Sequence, residues 1–194
     1  TVSSIAPVSD SASGASATRA GVSSRQILEY QVFISNLETA IYRLGTDPVS
    51  ELGQVPLNFL PRGIHIDPSG QQAYVATGFQ EIQIWDIAEN SVNFLQQIGT
   101  LPAPDCDLLG TMVTDPAGNY LLALESFGRV LVFDLETFEL RAKVKVLSAP
   151  RDIAVDPRGE RAYVTDDQGY VSVISLTSFV DLLDIPTGGS LQGA

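Results

Sequence analysis

Basic side chains are scarce in this sequence: 11 Lys and Arg stand against 23 Asp and Glu, a net charge of −12, and no basic stripe interrupts the acidic field. Such a surface repels phosphate backbones, which excludes nucleic acid as a partner. Cysteine occurs once, as Cys106, so no internal disulfide exists; this permits the cytoplasm without excluding a cell surface. Histidine also occurs once, as His65, which rules out paired-histidine metal centres and leaves any catalytic histidine without a nucleophile at a recognisable spacing. No apolar run approaches the ~20 residues of a membrane-spanning helix. Segments with a helical period of convincing length are missing too. The opening "TVSS" is neither a Met start nor a signal peptide, as expected of a processed or excised part of something longer.

What the sequence does contain is a tetrapeptide of turn residues, DPxG, at 67–70, 115–118 and 156–159. Sixteen residues beyond its glycine the chain reaches Asp86, Asp134 and Ser175, each closing an alternating apolar stretch: EIQIWD, RVLVFD and YVSVIS. Gly70 to Gly118 is 48 residues and Gly118 to Gly159 is 41, a period that signals repeated supersecondary units and not one continuous core.

Each unit reads as strand from end to end. GIHID, TMVTD and DIAVD lead into the three turns. Pro at the second turn position presets φ and Gly at the fourth accepts a positive φ, so DPxG predicts a tight turn between antiparallel strands. Second strands follow as QQAYVAT, NYLLALE and RAYVTDD. The stretches ending at Asp86, Asp134 and Ser175 make third strands, and VNFLQQIGT, ELRAKVKVL and FVDLLDIPT make weaker fourth ones. Four short strands in about 40–45 residues describe one blade of a β-propeller, a sheet whose faces are buried by its neighbours.

The repeat resembles that of the YVTN-type β-propellers: Pro, apolar alternation, DPxG, AYVT, a short loop, VSVID and a turn. APRDIAVDPRGERAYVTDDQGYVSVISLTS at 149–178 is very close to that pattern, and LPRGIHIDPSGQQAYVATGFQEIQIWDIAEN at 60–90 nearly so. The middle copy departs from it, with an insertion, PDCDLLG, before its first strand and NYLLALE in place of the namesake motif. The match spans about residues 27–189. It implies an all-β propeller of four-stranded antiparallel blades belonging to a ring of about seven. It also implies an extracellular, cell-surface or periplasmic location. The shared residues are turn and core residues, so it implies no particular activity.

EYQVFISNLETAIYRLG at 29–45 looks like GYVSVISLTSFVDLLDI at 169–185, which predicts the third and fourth strands of an earlier blade. The expected organisation is therefore a Ser/Ala-rich linker or ragged edge at 1–26, a half blade at 27–58, full blades at 59–102, 103–148 and 149–189, and a tail at 190–194. The alternative for 1–26 is that they form the two missing strands in degenerate form, although small polar residues fill strands poorly.

Few residues are candidates for chemistry. His65 sits in a first strand, where the equivalent positions hold Val113 and Ala154; it reads as a ligand-binding group at the central channel or, more plainly, as a hydrogen-bonded histidine between blades. Arg62 and Arg151 occupy identical positions, each after a Pro at the start of a first strand, where two guanidiniums would clamp a carboxylate or phosphate. Asp105 and Asp107 flank Cys106 in the insertion and are the candidate ligands for a Ca²⁺, against the reading of an ordinary solvated loop; TDDQG at 165–169 is open to the same two readings. Trp85 aligns with Phe133, Ile174 and Ile34 and reads as core.

Two function classes follow. The first is a non-enzymatic interaction or assembly module of a surface or extracellular protein. It would bind a protein partner, further blades or its own copies through blade loops or open strand edges. The second is a lactonase-like or other propeller hydrolase or oxidoreductase with a site at the channel mouth. That site would need Glu, Asn, Asp or His at the inner strand ends, where this sequence offers mainly Ile, Val, Met and Ala.

Overall fold

A computed structural model of the protein describes residues 2–7, 30–35, 40–46, 49–77 and 80–188. They form four separate four-stranded antiparallel sheets, each with its strands in sequence order. Blade one holds β1 (Val2–Pro7), β2 (Tyr30–Ser35), β3 (Ala40–Thr46) and β4 (Val49–Pro56). Blade two holds β5 (Gly63–Ile66), β6 (Gln72–Ala76), β7 (Glu81–Asp86) and β8 (Gln97–Pro102). Blade three holds β9 (Leu108–Thr114), β10 (Tyr120–Glu125), β11 (Arg129–Asp134) and β12 (Glu139–Lys145). Blade four holds β13 (Pro150–Val155), β14 (Arg161–Asp166), β15 (Tyr170–Ser175) and β16 (Val180–Pro186). No helix occurs among the described residues. The architecture is that of β-propeller blades.

The DPxG turns behave as their chemistry dictates. Gly70, Gly118 and Gly159 have φ of 72°, 73° and 70°, and each donates its N–H to the carbonyl of the turn's aspartate at 2.9–3.0 Å. The carboxylate caps the far side of the hairpin: Asp67 Oδ1 accepts from the N–H groups of Gln71 and Gln72 at 2.9 and 2.7 Å, Asp115 Oδ1 from Tyr120 N–H at 2.7 Å, and Asp156 Oδ1 from Glu160 N–H at 2.8 Å. The turns also meet one another. A Cβ at Gly118 would stand 3.8 Å from Pro68 Cδ, and one at Gly159 3.4 Å from Pro116 Cδ, so these two turn glycines lie against the turn proline of the preceding blade.

Period-two alternation sends each strand's side chains to two faces, one toward the preceding blade and one toward the next, here called the forward face. Three cores result. Ile41 and Val55 of blade one meet Ile64, Ile66, Ala73 and Val75 of blade two, with Trp85 partly buried alongside. Tyr74, Ile82, Ile84 and Leu101 pack on Met112, Leu121, Leu131 and Phe133. Leu122, Leu124, Val130, Val132 and Val144 pack on Ile153, Ala162, Val164 and Ile174. Each fully buried aliphatic side chain contributes about 1.5–3 kcal/mol. The innermost strands β1, β5, β9 and β13 adjoin in that order, and no comparable packing joins blade four to blade one among the described residues.

Two expectations are corrected. Residues 27–58 are not a half blade: β2, β3 and β4 are the second, third and fourth strands of a full one, and Val2–Pro7, inside the supposed linker, pairs antiparallel with Tyr30–Ser35 as its first. The fourth strand of blade two starts at Gln97, not Val92, because Ser91 to Gln96 form turns that bring Leu95 to a φ of 60°. The remainder of the 1–26 segment, apart from β1, and the 190–194 tail lie outside the described residues.

Candidate functional site

The strand starts of β5, β9 and β13 and the hairpin loops after β6, β10 and β14 share one end of the stack, since Gly63 pairs with Ala76 and Pro150 with Asp166. Every candidate residue except His65 lies at this end.

The backbones there are in close contact. A Cβ at Gly63 would fall 2.0 Å from the Gly110 carbonyl oxygen, and one at Gly110, whose φ is +91°, 2.3 Å from that of Arg62. Gly110 stands in β9 where Arg62 and Arg151 stand in the flanking blades, so the arginines head β5 and β13 with a glycine between them. Arg151 is 57% exposed and turns to Asp167 Oδ2 at 3.4 Å, while Asp167 Oδ1 accepts from Ser148 Oγ at 3.2 Å. Arg62 is exposed, and its backbone N–H binds Ala76 O at 2.8 Å.

His65 joins two blades. Its Nε2 lies 3.0 Å from Thr114 Oγ1 and accepts the Thr114 N–H at 3.1 Å. A backbone N–H can only donate, so Nε2 carries no proton and the ring is the neutral Nδ1–H tautomer. Burial pushes the His65 pKa down to about 4, the charge of Asp67 opposing it weakly. A neutral imidazole whose acceptor is already occupied is placed to fasten β5 to β9.

The insertion carrying Asp105 and Asp107 is fixed on both sides. Ala103 N–H binds Gln80 O at 2.7 Å and Asp105 N–H binds Gln80 Oε1 at 3.2 Å; on blade three Lys143 Nζ donates to Pro104 O at 3.2 Å and Arg129 Nη2 to Asp105 O at 3.4 Å. Both aspartates are exposed, and Asp107 Oδ2 accepts from Ser126 Oγ at 3.0 Å. Cys106 points into the core between blades two and three, its thiol donating to Pro104 O at 3.3 Å. No group of three or more His, Cys, Asp or Glu gathers to hold a metal among the described residues.

The charged group that composition did not single out is Glu125. It has no exposed surface, and its Oε2 accepts from Arg129 Nε at 2.8 Å directly across the β10–β11 hairpin. That bond, first among its causes, holds the Arg129 guanidinium above its ordinary pKa. Glu125 aligns with Thr77 and Asp166, and each closes its hairpin: Thr77 Oγ1 donates to Glu81 O at 3.1 Å, and Asp166 Oδ1 accepts from Tyr170 N–H at 2.8 Å. The signal was in the sequence, as Glu and Arg four residues apart around a Gly-containing turn. The group is committed to holding the loop.

The last feature is a face. Position by position, Tyr74, Ile82, Ile84 and Leu101 of blade two correspond to Leu122, Val130, Val132 and Val144 of blade three and to Tyr163, Val171, Val173 and Ile185 of blade four. The first two sets are buried by the blade that follows. In the third, Val173 is buried, but Tyr163 and Val171 are only half-buried and Ile185 is 42% exposed, with Leu183 beside it at 58%.

This fold defines the class of the protein, a β-propeller-type stack of four-stranded blades. Among the 1365 solved chains that share it is the hydrazine synthase of Kuenenia stuttgartiensis, matched with a TM-score of 0.68 at 18% identity over 79% of this chain and 45% of that one. The chain thus spans less than half the length of that protein, and the likeness is one of fold. No family model matches the chain, and no curated protein does.

Proposed function

We propose that this chain is a non-enzymatic interaction and assembly module that binds protein through the forward face of its fourth blade. One observation carries the reading: four positions that are buried in blades two and three are less covered in blade four, where Val173 alone stays buried, Tyr163 and Val171 are half-buried and Ile185 is exposed. A face built to be covered, and exposing Leu183 and Ile185, favours apolar contact with a partner. The occupied candidate groups support it too, since His65, Glu125 and Arg151 are each engaged within the fold. The YVTN-type resemblance supports a cell-surface, extracellular or periplasmic setting.

The test is an apolar fluorescent dye titrated into the 194-residue chain and into the variant Leu183→Glu with Ile185→Lys. Dye binding is expected to fall several-fold in the variant with its β-type circular dichroism retained. Equal binding by both proteins contradicts the assignment.

A further inference from the structure

We propose that the TDDQG loop of blade four, residues 165–169, holds a hard cation, Ca²⁺, on the carboxylate of Asp166. This site is separate from the docking face of the same blade.

Thr77, Glu125 and Asp166 occupy one place in three successive blades, where the second strand enters its hairpin. Blade two fills it with a neutral hydroxyl. In blade three the buried carboxylate has a cation of its own, with Arg129 Nε 2.8 Å from Glu125 Oε2. Blade four keeps the carboxylate but not the cation, because Tyr170 stands where Arg129 does. Asp166 is 3% exposed: its Oδ1 accepts the N–H groups of Gln168 and Tyr170 at 2.9 and 2.8 Å, and its Oδ2, shielded from solvent, has no hydrogen-bond partner among the described residues. By strand alternation its side chain shares the side of Ala162 and Val164, which pack on blade three, so this burial belongs to the seam between blades three and four. Arg151 does contact the loop, but it is 57% exposed and meets Asp167 Oδ2 at 3.4 Å, leaving Asp166 without it. A carboxylate taken out of water with no counter-charge is costly to a fold. A cation from solution supplies that charge.

The donor set selects the ion. Oxygens stand at this loop: the Asp166 and Asp167 carboxylates, Ser148 Oγ, bonded to Asp167 Oδ1 at 3.2 Å, and the Ala149 carbonyl, which accepts the Asp167 N–H at 3.3 Å and keeps a second lone pair. The softer ligands, His65 and Cys106, occur once each and lie between blades two and three. All-oxygen sets suit hard cations, and Ca²⁺ completes a shell of about 6–8 oxygens with carbonyls and water, so two carboxylates serve where no third acid gathers among the described residues. Asp167 is available to turn inward, since its contact with Arg151 at 3.4 Å is longer than the roughly 2.7–2.9 Å of a strong charge-assisted bond.

Terbium luminescence of the 194-residue chain, excited through Tyr170 beside Asp166 and competed with Ca²⁺, tests this together with melting curves in Ca²⁺ and in chelator. Asp166→Asn keeps an Oδ1 acceptor for the two loop N–H groups and removes the charge; Asp107→Asn, at an exposed aspartate outside the loop, is the control. The expected result is a Tb³⁺ signal that Ca²⁺ displaces, a melting temperature raised by Ca²⁺, and an affinity lowered by about tenfold or more in Asp166→Asn but unchanged in Asp107→Asn. Should Asp166→Asn not fold, Asp167→Asn carries the test and is expected to weaken Ca²⁺ binding several-fold. A wild-type chain with no displaceable signal overturns the site. So does equal binding by the wild type and the loop variants, an equal loss in Asp107→Asn, or a rise in melting temperature that Na⁺ reproduces at matched ionic strength.

Discussion

Replacing Gly63 by Ala adds one methyl group at the tightest contact between blades. Its φ is not in the left-handed region, so the substitution carries no backbone strain and reports only on the fit of β5 against β9. The new Cβ would stand 2.0 Å from Gly110 O, 2.7 Å from its carbonyl carbon and 3.0 Å from its Cα, all backbone atoms that cannot rotate away. A carbon and a carbonyl oxygen approach to about 3.3 Å, so the strands must part by roughly 1.3 Å. Two residues along, that movement stretches the His65–Thr114 bonds of 3.0 and 3.1 Å beyond bonding range. Overpacking of this kind costs about 1–3 kcal/mol and the lost buried hydrogen bonds a similar amount, together about 2–6 kcal/mol. At about 2–4 °C per kcal/mol for a chain of this size, the melting temperature falls by about 4–24 °C. Gly99→Ala is the control, because its new Cβ meets the Ile84 side chain, at 3.4 Å from the flexible Cδ1 and 3.9 Å from Cβ and Cγ1. Scanning calorimetry reads both. A Gly63→Ala protein melting with the wild type would refute the close stacking of the inner strands.

Other substitutions separate engaged from idle groups. For His65 the folded pKa of about 4 lies below the ordinary 6.5, so the unfolded chain binds the proton first as pH falls. The stability from the neutral ring is complete above about pH 6.5 and is lost toward pH 4, a change of about 3 kcal/mol that His65→Gln should largely remove from denaturant titrations. An NMR titration placing His65 at 6.5 or above would contradict its burial against Thr114. Glu125→Ala should lower the midpoint of urea unfolding by more than Arg151→Ala does, since it removes the fully buried acceptor of the Arg129 Nε–H. Arg151→Ala, at an exposed pair, should change stability by less than about 1 kcal/mol, and a larger loss would give that arginine a structural role not seen in its contacts.

The full blades were legible because their determinants are local. Asp67, Asp115 and Asp156 cap their own hairpins, and the turn glycines need only a positive φ, so sequence spacing alone located them. Blade one was misread for the opposite reason. It has no DPxG, and its first strand, Val2–Pro7, pairs with Tyr30–Ser35 across more than twenty intervening residues, a long-range match to which no local pattern points. The site was legible only in pieces. Arg62 and Arg151 are equivalent in the repeat, but Gly110 takes the matching place on the blade between them and Arg151 turns to Asp167, a contact that equivalence does not announce. Thr114 was not named as the partner of His65, since their contact joins neighbouring copies of the repeat and not neighbours in the chain.

Carbene footprinting of the 194-residue chain, at a dilution where only single chains sediment, tests the central claim most directly. It compares side-chain exposure on equivalent strands of successive blades. The account predicts little modification of Leu101 on β8 and Val144 on β12, which the following blade covers, and strong modification of Ile185, the equivalent position on β16. Equal protection of all three blades, or equal labelling of all three, would contradict an arc of stacked blades with one open face.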